Sequence, residues 1–285
     1  SMVDNLDGTD AGMGASRWEI LQRSLSTVLP PLDQQLALGA IIYPAENTLR
    51  CDLPSGSDLV PARGNVNALL DLLRRTSPTG GTPTAAVLGI ASRTLLNTPT
   101  ASSARALVLA TDGAPNCNTA LNPSTCVCTS PPTTPGVNCG SDTLCLDDTQ
   151  TINTITATFR DERIPTYVIG IGSQLNQWAG TLDRMAVAGG APRMGTPRYY
   201  SVANQNELTD AFTRITAQLT RCTFLVNGVG SNEPLTVRVN GVDVAQGPNG
   251  WEWTNVARTE LVLHGVSCDQ VAMGSTASAL VECAP

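Results

Sequence analysis

Two residues stand where chemistry could be done: an aspartate closing an apolar run, and a threonine in a glycine-rich turn. Ala106-Leu107-Val108-Leu109-Ala110 leads into Thr111-Asp112-Gly113. A strand that stops on Asp-Gly puts a carboxylate at the C-terminal edge of a sheet, where open α/β sheets keep their binding sites. Asp-Gly is also a turn dipeptide, so this stretch alone supports a turn and a site equally. Thr82 lies in Gly80-Gly81-Thr82-Pro83-Thr84. This reads as the start of a helix running through Leu96, with Thr82 at the N-cap and Pro83 in the first turn.

The other reactive residue types narrow the chemistry further. All 17 basic residues are Arg, which excludes a Schiff-base lysine and a P-loop lysine. His264 is the only histidine. It reads as a strand residue, leaving no Ser-His-Asp or Cys-His arrangement. No carboxylate pair stands out, and the chain is not expected to be an enzyme. Asp4, Asp7 and Asp10 recur every third residue, but the ligand spacing and glycine of a calcium loop are missing, and a solvated turn is the better reading. Trp251 and Trp253 fall on one face of a strand, as core packing rather than a sugar platform.

Nine cysteines are present: Cys51, Cys117, Cys126, Cys128, Cys139, Cys145, Cys222, Cys268 and Cys283. Five fall between Cys117 and Cys145, in a segment rich in Pro and Thr. Paired Cys-x-x-Cys or histidine ligands for zinc are lacking. The cluster therefore reads as disulfides formed in an oxidising compartment, with Cys51 as a candidate sixth partner and the pairing not readable from spacing. No run of about 18 apolar residues would span a membrane. No export signal is visible, and the chain is expected to be the mature or trimmed form of an exported protein. A net charge of -7 disfavours nucleic acid and anionic membranes as partners.

The elements that must position Thr82 and Asp112 follow from periodicity. Helices are predicted over Arg17–Leu29, with Ser16 as N-cap, and over Asn65–Arg75, Asp147–Arg163, Leu175–Ala188 and Glu207–Leu219. Strands are predicted over Leu36–Tyr43, Thr166–Ile171 and Arg198–Val202. Alternation of strand and helix argues a doubly wound, mostly parallel sheet with helices on both faces. From Cys222 the texture changes: Asn240-Gly241 between alternating runs is a hairpin signal. Residues 222–285 are expected to form a small all-β, disulfide-containing module, beside a first domain of residues 1–221 that carries the Cys-rich insertion 114–146.

Four stretches, GGTPTAAVLGIA (80–91), LVLATDGAPNC (107–117), TYVIGIG (166–172) and LDRMAVAGG (182–190), resemble a von Willebrand factor type A domain, and more closely the secreted bacterial type with a Cys-rich loop. That resemblance implies a von Willebrand factor A / Rossmann-like fold with a metal-ion-dependent adhesion site. It implies Thr82 and Asp112 as ligands of Mg²⁺, Mn²⁺ or Ca²⁺, with Ser1 as the last serine of an Asp-x-Ser-x-Ser motif. The first Asp and Ser of that motif, and the strand before them, are missing from this sequence. The function implied is an extracellular, cell-surface or periplasmic module that grips a protein ligand through an acidic residue. The competing expectation is a disulfide-stapled structural component of a surface assembly whose metal site is vestigial.

Overall fold

The computed structural model describes residues 2–6, 14–44, 51–98, 105–129, 138–226, 234–247, 250–254, 257–272 and 276–281. Its central layer is a sheet of β3 (Leu107–Thr111), β4 (Thr166–Ile171) and β5 (Tyr200–Val202), parallel and in that order. β4 is buried at every position, as a continuous apolar strand between two covered faces must be. Successive side chains point to opposite faces. Tyr167, Ile169 and Ile171 therefore join one apolar cluster with α1 (Arg17–Val28), α2 (Val66–Arg75) and α6 (Gln205–Arg221). Val168, Leu107 and Leu109 join another with α3 (Thr84–Asn97), α4 (Asp148–Glu162) and α5 (Ala179–Ala188).

The helices start where local chemistry dictates. Ser16 caps α1 through a full capping box with Glu19, which satisfies donors the first turn cannot pair internally. Asn204 caps α6 by accepting from the Glu207 N–H. Helix α1 packs on α6, and the Ser24 hydroxyl donates to the Gln205 carbonyl across 181 residues of sequence.

The expectation of a doubly wound, mostly parallel sheet is not met. The described strands fall into four small sheets, of which only β3–β4–β5 is parallel. The predicted buried strand at Leu36–Tyr43 is instead β1 (Leu38–Ala40), three residues that are not buried, paired antiparallel with β2 (Leu59–Ala62) in a separate ribbon. Asn65 fastens the ribbon, its amide donating to the carbonyls of Leu38 and Val60. Among the described residues nothing pairs with the outer edge of β3.

Residues from 222 onward share their own apolar cluster, centred on Trp251, Leu261, Leu263 and the Cys222–Cys268 disulfide. Two antiparallel sheets form there. One holds β6 (Thr223–Leu225), β10 (Glu260–Leu263) and β9 (Trp251–Trp253); the other holds β11 (Ala277–Val281), β7 (Leu235–Val239) and β8 (Val242–Val244). The hairpin at Asn240-Gly241 forms as expected, both residues having positive φ. The unit is not all-β, however: α7 (Gly265–Ala272) follows β10 and carries Cys268. The disulfide tethers this short helix, which sequence periodicity alone did not reveal.

Candidate functional site

β3 ends at Thr111, and Asp112 is the next residue. The Thr111 hydroxyl accepts from the Gly113 N–H and donates to the Gly113 carbonyl, which turns the chain sharply and holds Asp112 at the strand's end. Thr82 reaches the same edge: its Oγ1 lies 3.9 Å from where a Cβ on Gly113 would sit. It is not the cap of α3, as the sequence suggested. Pro83 occupies that position without a side-chain cap, and the helix starts at Thr84. Asn116 places Thr82 instead. The Asn116 Oδ1 accepts from the Thr82 N–H at 2.7 Å, and the Thr82 carbonyl accepts from the Asn116 N–H at 2.9 Å. Gly81 is needed nearby, because a Cβ there would press on the sulfurs of the Cys51–Cys117 disulfide. Ser1, Asp7, Asp10 and Cys283 lie outside the described residues.

The partner of Asp112 is Arg17. Its Nη1 lies 2.9 Å from Asp112 Oδ2, and the side chains are 1% and 10% exposed. Arg17 is the first residue of α1, where the helix dipole disfavours a cation, so the carboxylate compensates an otherwise unfavourable placement. Its N–H is held by the Asp4 carbonyl, and the neighbouring Trp18 N–H by the Met2 carbonyl. The guanidinium lies against the backbone after β4. A Cβ on Gly172 would come within 2.8 Å of Arg17 Nε, and Gly172 has φ +104°. Only glycine serves there.

Tyr43 completes the cluster. Burial pushes its phenol up to about 12; the neighbouring Thr84 hydroxyl opposes the shift, and the Asp112 charge adds to it. Its hydroxyl is fully enclosed, and Thr84 meets it without the geometry of a good hydrogen bond.

As arranged, these residues do not fit a divalent cation at Asp112. The carboxylate is already neutralised by Arg17, and each like charge brought within ~4 Å of the guanidinium costs about 4 kcal/mol at a protein-surface dielectric. Among the described residues, the one group of three or more His, Cys, Asp or Glu side chains close enough to share an ion is Cys126, Cys139 and Cys145.

The cysteines pair as Cys51–Cys117, Cys126–Cys145, Cys128–Cys139 and Cys222–Cys268. The first ties the segment before β2 to the residue just beyond Asn116. His264 is buried just after β10, its Nε2 3.5 Å from Glu252 Oε2 and in a different unit from Asp112. Trp251 is buried in the C-terminal cluster, edge-on to Trp253 at 5.4 Å between ring centroids.

Sequence reasoning missed Arg17, Tyr43, Asn116 and Gly172. One signal existed: an arginine in the first turn of a helix, against the dipole, immediately before a buried apolar stripe.

A scan against models of protein families finds no match, and neither does a search of curated proteins. Among solved structures, the chain is similar to the pilus adhesin SpaC from Lactobacillus rhamnosus GG. The likeness has a TM-score of 0.47 at 12% identity and covers 92% of this chain and 36% of that one. To the open conformation of the same adhesin the values are 0.48 and 11%, over 87% and 35%. The chain thus spans about a third of the adhesin's length. So distant a likeness assigns no function.

Proposed function

We propose that the chain is a disulfide-stapled component of an extracellular or cell-surface assembly, and that its Asp112 site is closed by the protein's own arginine rather than by a divalent cation. The observation that carries the reading is the buried Arg17–Asp112 pair. A carboxylate held by a guanidinium is a structural anchor: it ties α1 to the end of β3 across 95 residues of sequence. Four disulfides support an oxidising location. Among the described residues, no helix is long and apolar enough to cross a membrane. The partner chemistry in this reading is a protein surface.

A second reading is a von Willebrand factor A-type adhesion module that uses Mg²⁺ or Mn²⁺ to grip an acidic residue of a protein ligand. What favours it is the convergence of Thr82 and Asp112 at one sheet edge. Calorimetric titration of the oxidised protein with each cation separates the two. The structural reading expects no binding heat from the wild type. Saturable heat that disappears in Asp112→Asn would establish the metal-dependent module in its place.

A further inference from the structure

The Cys-rich loop holds its two internal disulfides side by side. The Sγ atoms of Cys126 and Cys139, which belong to different disulfides, are 3.3 Å apart. The sulfurs of Cys126, Cys139 and Cys145 all lie within 4.8 Å of one another, and Cys128 is bonded to Cys139. Three sulfurs thus occupy one small volume, and the fourth, that of Cys128, is bonded to one of them.

Backbone hydrogen bonds gather them together with the sulfur–sulfur bonds. Cys128 and Cys145 face each other in an antiparallel bridge. The Thr129 N–H donates to the Leu144 carbonyl and the Leu146 N–H to the Val127 carbonyl, both at 2.8 Å. The Cys139 N–H donates to the Pro123 carbonyl at 2.9 Å. Asn116, the residue that places Thr82, donates through its side chain to Thr129 Oγ1. Cys128 and Cys145 are buried, whereas Cys126 and Cys139 are partly exposed. The quartet therefore has an inner wall and an open side.

We infer that Cys126, Cys128, Cys139 and Cys145, when reduced, form a tetrathiolate site for a soft divalent cation of the zinc class. A Zn–S bond of about 2.3 Å gives a tetrahedron with edges of about 3.8 Å; Cys126 and Cys139 already stand 3.3 Å apart, and opening the two disulfides frees the bonded sulfurs to separate. Cys-x-Cys spacing alone did not suggest this; the placing of Cys139 and Cys145 beside Cys126 supplies the other half. Buried thiols resist ionisation in an apolar setting, and a bound dication removes that penalty while the thiol protons pass to solvent. The oxidised loop is a covalent clasp, and the reduced loop holds a metal through the same four residues. Reduction by a phosphine converts each disulfide to two thiols, with the phosphine becoming its oxide and taking oxygen from water. The inference does not depend on the function proposed above.

The test uses the full chain, reduced by a water-soluble phosphine under argon and titrated with Co²⁺. The expected result is one Co²⁺ per chain, with sulfur-to-cobalt charge-transfer absorption and tetrahedral visible bands that Zn²⁺ abolishes by displacement. Cys126→Ser/Cys139→Ser should lose the signal, while Cys51→Ser/Cys117→Ser should keep it. Mapping by alkylation and mass spectrometry covers variants that fold poorly. In the reduced wild type, Zn²⁺ should protect Cys126, Cys128, Cys139 and Cys145 while Cys51 and Cys117 react. No cobalt spectrum, a signal that survives Cys126→Ser/Cys139→Ser, or protection centred on Cys51 and Cys117 would each overturn the site.

Discussion

The parallel sheet and the loop that follows it are ordered by different means, although they meet at Asp112. In β4 all six residues are buried, and the sheet stands because apolar area is removed from water on both faces. In the loop from 114 to 147, the buried apolar residues among those described are Ala114, Pro115, Cys128 and Cys145. Its order comes from three disulfides and a few backbone hydrogen bonds. Burial writes itself into sequence as pattern, whereas covalent closure leaves only a count of cysteines. The Arg17–Asp112 pair is a third kind of order, neither periodic nor covalent.

Perturbations should divide along the same line. The largest effect is expected from Asp112→Ala, which leaves a guanidinium that is 1% exposed without this carboxylate. The expected loss is about 3–5 kcal/mol in chemical denaturation, and Arg17→Met/Asp112→Leu should recover most of it. If Asp112→Ala is neutral, the pair is not an anchor. Leu182, fully buried in the cluster beneath α5, should cost about 3 kcal/mol on truncation to Ala, with the same loss in reduced and oxidised protein. Cys51→Ser/Cys117→Ser opens a closure of 66 residues and should cost about 3 kcal/mol. That difference from wild type should vanish in reductant; its persistence there would show that packing, not closure, was lost.

A pH scan isolates Tyr43. Its phenol is raised from 10 to about 12 in the folded protein. The unfolded chain therefore ionises first as pH rises, and stability unaffected below pH 10 falls between 10 and 12. The loss is on the order of 2 kcal/mol, and Tyr43→Phe should flatten that part of the curve. Raised by burial, Tyr167 acts in the same direction and leaves a residual slope. The smallest effect is expected from Ser16→Ala, about 1 kcal/mol through loss of the α1 capping box. Amide exchange in the first turn of α1 should report it.

Much of the sheet and its helices was legible. LVLAT and TYVIGI are apolar runs of strand length, and the helices from Arg17, Asp147 and Glu207 carry a clear stripe. β2 was not read, because Pro61 interrupts Leu59–Ala62 and is tolerated only in an edge ribbon. The same short ribbon defeated the expectation of a continuous doubly wound sheet, which treated Leu36–Tyr43 as a buried strand. α7 escaped because a helix of eight residues held by one disulfide shows little periodicity. At the site, the placement of Thr82 and Asp112 at one edge followed from strand end and helix start. Arg17 did not, since nothing in sequence links residues 95 positions apart.

The contact of α1 with α6 has a consequence in time. Ser24 finds its acceptor, Gln205, only after 181 further residues have been made. At roughly 5–20 residues per second of synthesis, the apolar stripe of α1 waits about 10–40 s for the helix that covers it. Throughout that interval Ile20, Leu21 and Leu25 are available to any holding chaperone or export factor that binds greasy amphipathic segments. Until α6 follows, α2 is the helix that shelters α1.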